Sequence, residues 1–176
     1  LKQGKNVLLN PNYKALEGIE GRFVPVFWSP VHFPNQPATM GLMIDDKNPA
    51  FNNFPTDTHT NWQWWDLCIN SKSIVIDSLE VTPIVRVIDN FVTNHHLANV
   101  FETNVGDGKL IFSAIDITSK LQERPAARQL RHSLLNYMQS DAFSPSKNIQ
   151  MKDLDIIKKK GENEEKFDFL KMDIGY

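Results

Sequence analysis

Cysteine is almost missing from this chain: Cys68 is the only one in 176 residues. An internal disulfide is therefore excluded, and so is a cysteine-built zinc site. An excess of one charge is also missing, with 19 Lys+Arg against 21 Asp+Glu and a net charge of −2. A phosphate backbone calls for a basic face, so nucleic acid is not an expected partner. Long apolar runs are absent too. None approaches the ~20 residues that a membrane-crossing helix needs, so no membrane span is expected. No repeat period is visible, and no low-complexity block interrupts residues 1–145.

What is there is a chain with 41% hydrophobic and 23% charged residues, enough for a core without staples. Two counts are high for the length, 4 Trp and 10 Pro. Residues 1–145 read as one α/β domain. Residues 146–176 differ, holding 7 Lys and 7 Asp+Glu, and read as a charged C-terminal tail or the start of a following segment. The chain opens at Leu1 with no Met and runs directly into an apolar segment. That beginning suggests a domain cut from a larger protein, in which case a targeting signal would lie elsewhere.

Short β-like runs alternate with helical patterns, which predicts an α/β fold. Strands are expected at the short apolar runs 7–10, 22–28 and 41–45, and at 72–76 and 83–88, where Val and Ile dominate. Pro30, Pro34 and Pro37 make residues 29–39 a loop, because proline fixes φ and lacks a donor. The segments 48–51 and 54–57 read as loops that carry aromatics. The strongest local signal is at 97–116, two β-rich runs joined by Gly106-Asp107-Gly108, which predicts an antiparallel hairpin within a mixed sheet. A helix should follow from Pro125, placed where a missing N–H costs nothing. Ala127, Leu130, Leu134 and Met138 recur at helical spacing along it.

A second helix is expected over 62–70, with Thr60 or Asn61 as its cap. Trp62, Trp65 and Ile69 share one of its faces, with Trp64 and Leu67 off that face. Three Trp in four positions cannot all face one side, so at least one should reach the surface or line a cleft. In the simpler view Trp62 and Trp65 anchor the core and Trp64 covers a loop. Exposed indole faces stack on sugar C–H faces, so Trp28, His32, Trp64 and Trp65 are the carbohydrate-binding candidates.

Other constellations are weaker. Cys68 lies mid-helix among apolar neighbours and reads as a buried small hydrophobe. His95 and His96 are adjacent, so in a strand they would point to opposite faces and could not share a metal. No HxxxH or HExxH spacing occurs, and no metal site or cofactor is expected. Glycoside hydrolysis needs two carboxylates about 5–10 Å apart. The carboxylates Asp45, Asp46, Asp66, Glu102 and Asp116 sit near apolar runs, but none lies in a recognisable catalytic motif. Asp116 closes a strand ahead of a helix, a position that faces clefts in α/β folds, though it serves equally as a cap for 118–121. Gly106-Asp107-Gly108 joins two strands and does not open a helix, so it is not a phosphate loop.

Several segments together carry a resemblance. They are residues 23–34 (FVPVFWSPVHFP), Asn61-Trp62-Gln63-Trp64-Trp65-Asp66-Leu67, Gly106-Asp107-Gly108-Lys109-Leu110, and residues 124–131 (RPAARQLR). Over roughly residues 1–145 the chain resembles a C-terminal region of large Bacteroidetes glycoside hydrolases of family 2, the β-galactosidase-like, sugar-binding-domain proteins of polysaccharide utilisation. The strand, Gly-x-Gly-Lys-Leu turn, Asp-ended strand and helix are also similar to the glutamine-amidotransferase-like (flavodoxin-like) domain. The resemblance implies a three-layer α/β sandwich, but the Gly-x-Cys-x-Gly elbow of active amidotransferases is missing. It implies a non-catalytic accessory domain in a secreted or periplasmic protein. Such a domain supports packing, oligomerisation or the shape of a substrate cleft. The implied partners are the other domains of the parent glycoside hydrolase, a plant or host glycan, or a second copy of the chain. The alternatives are a carbohydrate-binding module using exposed Trp residues, and a small hydrolase pairing Asp116 with a histidine.

Overall fold

A computed structural model of the chain describes residues 1, 3–20, 39 and 41–158. The described residues form a mixed α/β fold around one open, eight-stranded sheet. Its strands are β1 (Asn6–Leu9), β2 (Ile19–Glu20), β3 (Gly41–Ile44), β4 (Lys72–Val75), β5 (Thr82–Ile88), β6 (Leu97–Val105), β7 (Gly108–Ser113) and β8 (Asn148–Ile149). The helices are α1 (Trp65–Ile69) and α2 (Pro125–Gln139), with short 3-10 turns at Tyr13–Ala15, Pro49–Phe51, Trp62–Trp64 and Met151–Ile157. The strand expected at 22–28 and the proline loop lie outside the described residues, as do Trp28 and His32.

β6 is the centre of the sheet. It pairs antiparallel with β7, β5 and β4, and parallel with β8. β1 lies parallel to β7, β3 antiparallel to β5, and β2 antiparallel to β4. The antiparallel hairpin expected at 97–116 is therefore present. Its turn is one residue shorter than the sequence suggested: Val105 pairs with Gly108, which leaves a two-residue loop of Gly106 and Asp107. Gly106 takes φ +61°, a conformation that a Cβ disfavours and the tight turn demands. Gly108 then joins the strand because the amino-terminal segment crosses closely there. A Cβ on Gly108 would come within 2.7 Å of Leu1 and Lys5 backbone.

Both faces of the sheet are buried, and β7 shows how the sequence achieves this. Ile111 points into one apolar cluster while Leu110 and Phe112 point into the other, the period-2 alternation of a strand. The first cluster lies under α1, α2 and the Pro49–Phe51 turn. The second lies under the residues around Leu16, Leu79 and Leu154. In β5, register shifts around Ile84 and Val85 let both residues bury in the first cluster. The outer edge of β3 is closed by the chain at 58–60. Ile44 N–H donates to Thr58 O at 2.9 Å, and Leu42 N–H to Thr60 Oγ1 at 2.6 Å.

α2 starts at Pro125 as its sequence dictates and buries Ala127, Leu130 and Leu134. The packed body does not stop at residue 145. Residues after it add β8 to the sheet, and Ile149, Leu154 and Ile157 complete the second cluster. The charge of this segment hid three apolar anchors spaced along it.

Candidate functional site

The site is built where the chain turns into α1. Asn61 caps the turn, its side-chain oxygen accepting from Gln63 N–H at 3.0 Å. Thr60, the other cap candidate, instead bonds the β3 edge. The first turn, Trp62–Trp64, is 3-10 and the rest is α. Trp62 and Trp65 fall three residues apart across the junction of the two. Trp62 is 79% exposed, Trp65 46% and Ile69 40%.

This inverts the expected packing. Trp64 is 0% exposed and belongs to the core with Leu67 and Cys68, so it offers no face to a sugar. Its ring lies edge-on to Phe51 and Phe54, at centroid distances of 6.3 and 5.3 Å. Its indole N–H donates to Thr56 Oγ1 at 2.7 Å. The stripe Trp64, Leu67 and Cys68 also has helical spacing, and that signal was available in the sequence. Of the carbohydrate candidates among the described residues, Trp65 reaches the surface. Trp62, assigned to the core from sequence, is the more exposed of the two.

Beside Trp65, Asp66 enters a charge cluster that no local pattern reveals. Arg124, the residue ahead of α2, places its Nε 2.8 and 3.0 Å from the two Asp66 oxygens. Its Nη1 lies 3.1 Å from Ser119 O and 3.3 Å from Asp116 Oδ2. Its Nη2 is buried with no hydrogen-bond partner. Asn70 Nδ2 donates to Asp66 Oδ1 at 3.1 Å and to Asp66 O at 2.9 Å. One arginine thus ties the flank of the Trp face to the loop that follows β7.

Asp116 caps that loop, the second of the two roles its position allows. Its Oδ1 accepts from Thr118 N–H at 3.0 Å and Ser119 N–H at 2.9 Å. Burial pushes its carboxyl pKa up, but the two backbone donors and the Arg124 charge outweigh burial and hold it below its usual value. No histidine among the described residues bonds it. An acid–base pair of Asp116 with an imidazole is therefore not assembled there.

The remaining candidates disperse. Burial pushes the Cys68 thiol up to about 12, so it stays protonated and unreactive, as its apolar surroundings suggested. Glu102 lies under α2, where Tyr137 Oη donates to its Oε2 at 2.8 Å. Desolvation raises its pKa, partly offset by that bond. Asp45 Oδ1 closes a turn by accepting from Lys47 N–H. His95 and His96 precede β6 and do not lie in it, so the opposite-face argument fails. Both meet Asp77, through His95 Nδ1 at 2.6 Å and His96 N–H at 2.7 Å. Those bonds, the His96 backbone donor first, lower the Asp77 pKa. Among the described residues no group of three or more His, Cys, Asp or Glu side chains is placed to hold a metal. No helix of the described residues is long and apolar enough to cross a membrane.

The model of the family described as a domain of unknown function, DUF8487, matches residues 1–159. The chain belongs to the DUF8487 family. The match runs past residue 145 and takes in β8 and the Met151–Ile157 turn, the segment that completes the second cluster. No curated protein matches the chain.

Proposed function

We propose that this chain is a non-catalytic accessory domain of a larger, secreted or periplasmic glycoside hydrolase, acting by contact and not by turnover. The observation that carries the reading is the exposed face of Trp62, Trp65 and Ile69. It sits on a rigid base: Trp64 is wedged among Phe51 and Phe54 behind it, and Arg124 clamps Asp66 at its flank. Exposed aromatic area on a pre-ordered base suits a docking surface, because little side-chain freedom is lost on contact. Its partner in this reading is a neighbouring domain of the same protein. The protonated, enclosed Cys68 and the loop-bound Asp116 favour contact over chemistry. The sequence resemblance to family 2 glycoside hydrolases supplies the parent enzyme, and the amidotransferase-like three-layer sandwich is part of the same proposal.

The test has two arms. The open reading frame around this segment is expected to encode a barrel with paired catalytic carboxylates, and the purified chain is expected to leave aryl glycosides and aryl esters intact. Turnover by the chain alone would overturn the proposal, as would a reading frame without a hydrolase domain. Self-association through the same face would appear as a concentration-dependent mass in sedimentation.

A second reading, a carbohydrate-binding module, is favoured by the solvent-exposed indoles of Trp62 and Trp65. Calorimetry against galactosides and plant glycans would show heat that Trp62→Ala abolishes. Absence of heat across the panel removes this reading and leaves the first standing.

A further inference from the structure

The 15 residues of α2 include Arg128, Arg131 and His132 and no Asp or Glu. Arg124, ahead of the helix, is held by Asp66 and Asp116. Arg128 is exposed and Arg131 half-buried, and among the described residues neither has a carboxylate within 4 Å. Arg128 closes the first turn, where the helix dipole disfavours a cation and no acidic side chain offsets it. Their charge therefore does nothing for the helix that carries it.

The helix is held firmly in place. Ser133 Oγ donates to Ala50 O at 2.6 Å and Asn136 Nδ2 to Asn53 Oδ1 at 2.9 Å, so one flank is tied to the uncharged segment 48–55. Arg128 Nη1 donates to Leu121 O at 3.2 Å, which orders its guanidinium at the surface. Leu135, one turn beyond Arg131, is half-buried and belongs to neither apolar cluster. Arg128, Arg131 and Leu135 follow one another at i, i+3 and i+7, a single stripe along the helix.

Guanidinium forks fit carboxylates or phosphates in a planar, paired geometry that an ammonium does not offer. Three residues of helix advance about 4.5 Å, so two carboxylates close together along a peptide can meet both arginines. A polyphosphate backbone calls for a broader basic face than two arginines in a chain of net charge −2. Leu135 at the end of the stripe suits an apolar side chain beside the acids. We propose that the stripe of Arg128, Arg131 and Leu135 is a docking site for an acidic segment of another polypeptide, with carboxylates on the two guanidiniums and an apolar side chain on Leu135. It is separate from the Trp62 and Trp65 face and does not rest on it.

The test is an NMR titration of the 15N-labelled chain with a capped peptide of repeating Glu-Glu-Leu, read at backbone amides and at arginine Nε–H groups. Shifts are expected to gather on α2 around Arg128, Arg131 and Leu135. The double variant Arg128→Gln with Arg131→Gln should weaken binding at least tenfold, while Lys47→Gln, at an exposed cation in another loop, should leave it unchanged. Shifts that are absent from α2 overturn the proposal, as does an unchanged affinity in a folded double variant. Tighter binding of the same stripe to single-stranded DNA or to phosphatidylglycerol vesicles than to the peptide would also overturn it, by assigning the stripe to phosphate.

Discussion

Replacing Trp64 by alanine removes an indole that is 0% exposed and packed edge-on against Phe51 and Phe54. Truncating a large aromatic in a core costs about 3–5 kcal/mol, and stranding the Thr56 hydroxyl adds about 1 kcal/mol. A domain of this size is stable by about 5–15 kcal/mol, so the variant should lose about a quarter or more of its stability. Trp62→Ala is the matched control, the same chemical change two positions away at a side chain that is 79% exposed. Truncation at so exposed a side chain is expected to cost less than truncation in the core. Urea unfolding followed by far-UV circular dichroism would read both, with equal m-values as the check that the unfolded states match. Trp64→Phe should fall between the two, because it keeps ring packing and loses the N–H bond to Thr56. A Trp62→Ala cost equal to or larger than that of Trp64→Ala would refute the assignment of the buried face.

Arg124→Met leaves Asp66 and Asp116 facing each other without their shared cation. Breaking a buried pair costs 3–5 kcal/mol, and the partial exposure of Asp66 places the expectation near the lower end, about 3 kcal/mol. Because the folded Asp116 pKa is depressed, the stability tied to it is present above the usual carboxylate range and lost as pH falls through the depressed value. Acid titration of unfolding would show this loss in the wild type, and an unchanged profile in Arg124→Met would contradict the coupling. Glu102 has the opposite sign. Its raised folded pKa makes its contribution full below the ordinary Glu value and lost as pH rises through the folded one. Glu102→Gln keeps an acceptor for Tyr137 and should be at least as stable as wild type at pH 7, with less gain on acidification. A loss of more than about 2 kcal/mol at pH 7 would count against that account.

Local rules reached part of this structure. The hairpin was legible because a Gly-Asp-Gly turn separates two β-rich runs, and α2 because Pro125 opens a regular apolar stripe. The start of α1 was legible at its Asn61 cap, but its buried face was not. Two apolar stripes compete there, and the 3-10 turn changes the angular step, so a single 3.6-residue period assigned the wrong one to the core. Loop aromatics escaped for another reason. Phe51 and Phe54 find Trp64 only after the chain folds back, and Phe54 has no periodic neighbours of its own. The Asp66–Arg124 contact spans 58 positions. Side chains meeting across that distance leave no pattern in either segment. The charged stretch after residue 145 hid Ile149, Leu154 and Ile157 because charge density dominates a compositional reading.

The central position of β6 also bears on how the chain is made. Its four neighbours begin at Lys72 and end at Ile149, on both sides of it in sequence. A growing polypeptide that has emerged only as far as α2 still has the main chain of Asn104 and Val105 without β8, and the second cluster without Ile149, Leu154 and Ile157. The fold therefore cannot close progressively from its amino end during synthesis. Closure waits for the last twenty or so residues of the body, and until they arrive an open strand edge and an apolar face are available to chaperones or to other nascent chains.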